Sequence, residues 1–283
     1  MNLQNILSEI EQKDPEVMHK LDTRRNAMKN FARLSGKVAI ASVPFALGSM
    51  FKKAYGSPTS PTDIIIDTLN FALTLEFLES NFYIKAVASG IIPAGAALTA
   101  LTTIRDHENE HVNFLKTAIT AAGGKPVSYT AADFDFTAHG TFPTVFSDYG
   151  LMLAVAQTFE DTGVRAYKGQ AGNLITNNDY LTAALRIHSV EARHAAHLRS
   201  MRRANGSLIP AGVVLKPWIT LNQSGIGSTA VQASYNGEEN VTQLGITITN
   251  IGGQMISASA ASEAFDEPLT KEQVTAIVTP FFA

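Results

Sequence analysis

Glu108-Asn109-Glu110-His111 and Glu191-Ala192-Arg193-His194 decide how this 283-residue chain is read. Residues i and i+3 of a helix lie on one face, a turn apart. Each Glu-x-x-His therefore sets a carboxylate beside an imidazole, both within reach of one cation. A lone glutamate precedes each pair inside an apolar helical stretch, Glu76 before the first and Glu160 before the second. Glu76 to Glu108 is 32 positions and Glu160 to Glu191 is 31; the lone glutamates are offset by 84 and both members of the pairs by 83. Tyr83 and Tyr167, each seven residues after a lone glutamate, repeat the offset of 84. Two helices joined by a short turn run back along each other, so each half brings its glutamate level with its Glu-x-x-His. The pattern predicts a duplicated helical hairpin, hence a four-helix bundle, with Glu76, Glu108, His111, Glu160, Glu191 and His194 forming a two-metal cage.

Chance does not supply this arrangement. With 14 glutamates and 7 histidines in 283 residues, about 0.35 Glu-x-x-His pairs are expected at random, so a single hit carries little weight. Glu16/His19 is such a hit, in a polar segment with no partner half. The other two pairs fall on apolar stripes, where unpaired charge is costly. Carboxylates converging in a bundle core repel one another unless protons or cations neutralise them.

Composition narrows the chemistry. A net charge of −3 argues against nucleic acid as a partner, and 45 % hydrophobic residues suffice for one main domain with appendages. Without cysteine there are no disulfides and no thiolate metal sites. The remaining oxygen and nitrogen ligands suit iron or manganese.

Three regions follow along the chain. Residues 1–60 read as a leader or docking helix: Leu3, Ile6, Leu7 and Ile10 are spaced as an amphipathic turn. Thr23-Arg24-Arg25-Asn26-Ala27-Met28-Lys29 resembles a twin-arginine export signal and precedes the apolar run Val38 to Phe51. That run has 14 residues, too few to span a bilayer, so no transmembrane span is expected. Export to the periplasm is the expectation, with a cytoplasmic location as the alternative. Residues 61–204 carry helices expected over about 63–88, 94–121, 144–171 and 179–204, with Thr62-Asp63 as the first cap and Gly123-Gly124 as an exit. A long crossover without periodicity, residues 123–143, joins the second helix to the third. Residues 205–283 form a Gly-, Ser- and Thr-rich extension. Short strands are expected around Val241 to Ile248, and a capping box at Thr270-Lys271-Glu272-Gln273 opens a last helix that ends at Pro280.

Over about residues 62–204 the constellation resembles the ferritin-like superfamily of di-iron and di-manganese carboxylate proteins. More narrowly, with Phe265-Asp266-Glu267-Pro268-Leu269, it is similar to bacterial ferritin-like domain proteins related to the desiccation-related family. The resemblance implies Glu76 and His111 as terminal ligands of one metal, Glu160 and His194 of the other, with Glu108 and Glu191 bridging. It implies two metal ions, iron or alternatively manganese, and a protein that oxidises ferrous iron or removes oxygen or peroxide in stress protection. Manganese-catalase-like peroxide disproportionation and a non-catalytic structural role at the envelope are the alternatives; a homo-oligomer is compatible with each.

Other residues receive more ordinary readings. His188 and His197 are expected at the rim or surface, and His107, about 100° from Glu108 around the helix, is expected to be exposed or to support a ligand. Glu79, Arg105 and Arg186 are read as surface ion-pairing groups, although Glu79 is the best further carboxylate near the cage. Tyr83 and Tyr167 are read as core tyrosines with satisfied hydroxyls, and Asp266 and Glu267 as turn residues.

Overall fold

The computed structural model describes residues 60–206 and 208–283. The twin-arginine-like segment, the apolar run Val38 to Phe51 and the Glu16/His19 pair lie outside them. Four long helices form the body: α1 (Pro61–Ala88), α2 (Ala96–Ala121), α3 (Tyr149–Gln170) and α4 (Asn178–Asn205). At 1.5 Å per residue the longest run about 42 Å. The chain is mainly helical, with α1 packed along α2, α3 along α4, and the two hairpins joined through α1–α3 and α2–α4 contacts. No described helix is long and apolar enough to cross a membrane.

Local chemistry sets the ends of these helices. Ser60, rather than Thr62-Asp63, caps α1. Its hydroxyl accepts from the Asp63 amide while the Asp63 carboxylate accepts from the Ser60 amide, and Pro61 fills the first turn, where an amide proton is dispensable. Gly123, at φ +84°, turns the chain out of α2 as its sequence position suggests. The third helix begins at Tyr149, five residues later than expected, because Asp148 takes the capping position and accepts from the Leu151 amide at 3.1 Å. Residues 144–147, apolar enough to mimic a first turn, belong instead to the turns of the crossover. Asn177 caps α4, and Gly206, left-handed at φ +75°, ends it with its amide bonded to the Arg202 carbonyl.

The crossover is tied down by polar and aromatic contacts. Asn70 on α1 donates to the Lys125 carbonyl and accepts from the Val127 amide. Phe136, Phe146 and Phe159 surround Phe82, which is fully buried, with ring centroids 5.2 to 5.5 Å away. The chain terminus returns to the same place: Phe134 and Phe282 form an antiparallel bridge, and Phe281 stands edge-on to Phe159 at 4.7 Å.

The extension lies along α3 and α4. Its regular structure is slight: β1 (Thr242–Gln243) and β2 (Ile246–Thr247) make a two-residue hairpin, and α5 (Ala258–Ser262) is one turn. The expected strands shrink to this pair because Leu244 and Gly245, both at positive φ, turn the chain midway through the alternating segment. The last helix, α6 (Lys271–Val278), opens with the Thr270/Gln273 capping box and buries Val274 and Val278. Gly169 lets the extension approach: a Cβ there would stand 1.9 Å from the Leu269 carbonyl oxygen, where no side chain fits.

Two fully buried arginines, Arg165 and Arg202, fasten this contact, and a third, Arg199, joins α4 to α3 beside it. Arg165 donates to the carbonyls of Ser234, Asn236 and Glu267 and pairs with Glu238 at 2.7 Å. Arg199 grips Asp161 at 2.5 and 3.2 Å, and the same carboxylate accepts from the Tyr235 hydroxyl and the Gln157 amide. Arg202 reaches Gln157 and the carbonyls of Leu208 and Gly225. A buried guanidinium is tolerated only where such acceptors meet it, so the irregular backbone of the extension serves as its solvent. Asp266 and Glu267 belong to this docking: the Glu267 amide donates to Glu238, and the Asp266 carbonyl accepts from Lys168.

Candidate metal centre

Each of the four helices contributes to one buried polar cluster. Glu76 comes from α1, Glu108 and His111 from α2, Glu160 from α3, Glu191 and His194 from α4. All four glutamates are completely buried, His194 nearly so, and His111 is 12 % exposed at its side chain. Their ligand atoms fall into two overlapping groups, Glu76 with Glu108, His111 and Glu191, and Glu108 with Glu160, Glu191 and His194; within each group the atoms lie inside 4.8 Å of one another. Glu108 and Glu191 belong to both.

Hydrogen bonds aim the carboxylates. His111 Nδ1 stands 3.1 Å from Glu76 Oε2 and 3.0 Å from Glu108 Oε2; His194 Nδ1 stands 3.2 Å from Glu160 Oε2 and 2.9 Å from Glu108 Oε1. The outer oxygens are held by tyrosines in a crossed pattern. Tyr83 of the first hairpin donates to Glu160 Oε1 at 2.6 Å, and Tyr167 of the second donates to Glu76 Oε1. Each lone glutamate thus has one oxygen fixed by a phenol and the other turned toward the centre.

Electrostatics marks the cluster as short of positive charge. Burial pushes Glu191 well above the usual carboxylate range, with the charges of Glu160 and Glu76 adding to it, and burial together with Glu191 pushes Glu108 up to about 7. Glu160 is also raised, chiefly by burial, whereas at Glu76 burial, the largest single influence, is outweighed by the combined bonds and charge of His111, Glu108 and Tyr167, and the carboxyl is lowered. Burial opposes a charged imidazole at His194, but Glu160 and Glu108 prevail and push it up to about 11. His111 is driven up in the same way by Glu108, Glu191 and Glu76. Glu191 Oε2 nevertheless has no hydrogen-bond donor, and Glu191 Oε1 and Glu108 Oε1 meet only nitrogens already shared with other glutamates, His111 Nδ1 at 3.3 Å and His194 Nδ1 at 2.9 Å. Buried carboxylate oxygens without donors are costly, and cations remove that cost by direct ligation. An all-oxygen-and-imidazole donor set of this kind fits iron or manganese.

A family model described as a ferritin-like domain matches residues 65–204, which takes in all six cluster residues and all four helices. This chain carries a ferritin-like domain. The match is to the ferritin-like domain at large and does not bear on the desiccation-related branch. Comparison with curated proteins gives no match.

Around the centre of the ferritin-like domain, Glu79 departs from its sequence reading, and the neighbouring histidines and arginines keep to theirs. Glu79 is no surface group: it is 3 % exposed, a fifth carboxylate in the core, and burial plus the four other glutamates push it well above its ordinary range. Its position three residues after Glu76, on the same face, was the available signal. His107 stacks on His194 with rings 5.2 Å apart, and its Nδ1 is 3.0 Å from His194 Nε2, so it backs a cluster residue from the solvent side. Arg105 pairs with Asp106 at the surface, and Arg186 and His197 are exposed. His188 is half-buried, with Nδ1 3.0 Å from the Val164 carbonyl oxygen and away from the cluster.

Proposed function

We propose that this ferritin-like domain holds two metal ions and oxidises ferrous iron or removes oxygen or peroxide. Glu76 and His111 serve one ion, Glu160 and His194 the other, and Glu108 and Glu191 bridge them. The observation that carries the reading is the overlap of the two groups at Glu108 and Glu191, with Glu191 Oε2 buried and without a donor. A pair of redox-active ions in this cage supplies two-electron exchange with oxygen or peroxide. The chain's part is to hold that pair in a dry, anionic site. Four glutamates balance the charge of two divalent ions, leaving His111 and His194 to ligate as neutral imidazoles. Tyr83 and Tyr167 orient the lone glutamates, and His107 orients His194.

Anaerobic protein loaded with ferrous iron is expected to consume oxygen or peroxide, followed with an oxygen electrode and by absorbance. His111→Ala and His194→Ala should each slow the reaction at least tenfold, because each strips a ligand from a different ion. Oxygen evolution from peroxide by manganese-loaded protein would favour disproportionation instead. A protein that holds both ions but is inert to oxygen and peroxide would replace the redox reading with a structural one.

The site of action proposed is the periplasm, reached in the folded, metal-loaded state, since Arg24-Arg25 precedes a weakly apolar run. Changing both arginines to lysine should hold the protein in the cytoplasm. Cell fractionation that finds wild type and variant in one compartment would overturn this.

A further inference from the structure

The lone glutamates and the tyrosines of the two hairpins repeat with an offset of 84, but the further core carboxylate does not: Glu79 on α1 corresponds to Gly163 on α3. A Cβ at Gly163 would lie 2.9 Å from Glu191 Oε2 and 3.3 Å from Glu79 Oε1. The two carboxylates therefore line one gap, which the missing side chain keeps open. Glu191 Oε2, the oxygen on that side, has no hydrogen-bond donor, while Oε1 faces His111 Nδ1 at 3.3 Å. Two buried carboxylates on one gap repel each other until something positive enters it.

We propose that Glu79 is a seventh protein ligand of the metal pair, reaching it from the Glu191 side through the gap that Gly163 leaves. This rests on the two-metal reading given above. As the chain stands, Glu79 is outside both ligand groups, so it joins by rotation of its side chain once ions are present. Charge gives the reason for a fifth carboxylate. Four glutamates already balance two divalent ions, and a fifth offsets the added positive charge when the ions are oxidised. The asymmetry also makes the two metal positions inequivalent, because only the first hairpin supplies such a residue.

The test uses cobalt(II), which requires no turnover and whose visible absorption strengthens as its coordination number falls. Anaerobic titration of the full chain should give two bound cobalt ions. Glu79→Gln, close in size and without charge, should bind one of them about tenfold more weakly and absorb more strongly per ion. Gly163→Ala, which fills the gap with Glu79 still present, should shift the spectrum the same way, and the double variant should show little more than either single one. A Glu79→Gln protein with the wild-type spectrum and affinity overturns the proposal, even if its metal-free form melts at a different temperature. Wild-type protein that takes up fewer than two cobalt ions overturns the two-metal reading itself, and this proposal with it.

Discussion

Replacing Glu191 with alanine is expected to empty both metal positions, not one, and Glu108→Ala is expected to do the same. Each glutamate belongs to both ligand groups, so its loss takes an oxygen from each ion at once. Even partners that act behind the ligands command ten- to a hundredfold in affinity, so removal of a shared ligand should weaken binding at least ~100-fold at both positions. Glu76→Ala or Glu160→Ala, whose residues belong to one group each, should spare one ion. Metal analysis of reconstituted protein measures this: about two ions in the wild type, about one in the lone-glutamate variants, near none in the shared ones. Retention of one full ion by Glu191→Ala would remove the bridging assignment.

The second large effect concerns stability. Asp161→Ala should destabilise the metal-free protein by about 3–5 kcal/mol, because it leaves Arg199 buried without its counter-ion. Tyr235 and Gln157 lose an acceptor at the same time. The double variant Asp161→Leu with Arg199→Met should be milder than the single one, since apolar residues of similar volume remove both charges together. Denaturant titration of the three proteins decides the matter. A loss below about 1 kcal/mol for Asp161→Ala would mean that the buried Asp161–Arg199 pair does not hold α3 and α4 together.

The bundle was legible because the residues that build it repeat. Glu76, Glu108 and His111 recur as Glu160, Glu191 and His194 at a nearly fixed offset, and helical spacing converts that recurrence into a shared height in the core. Helix ends were less legible. Asp148 and Ser60 override the apolar pattern by offering oxygens to free amides, an effect of one side chain that periodicity does not register. Glu79 was misread because a fifth carboxylate in an apolar core runs against the cost of burying charge, although it stands three residues after Glu76 on the same helix face. The extension was the least legible part. Its backbone is shaped by acceptors for Arg165 and Arg202, and a carbonyl's role as an acceptor leaves no mark on the identity of the residue that carries it.

The crossed tyrosines bear on the order of events as the chain is made. Synthesis runs from the amino end at about 5–20 residues per second, so the first hairpin emerges seconds before the second. During that interval Glu76 has no phenol to fix it, since its partner Tyr167 has yet to appear, and Glu191 is equally absent. The early hairpin can therefore offer a passing cation only a loose and partial grip. On the two-metal proposal, capture waits for Glu191 and His194, past the middle of α4, so that the choice of metal would be made by a nearly finished bundle in whatever ionic surroundings it then occupies.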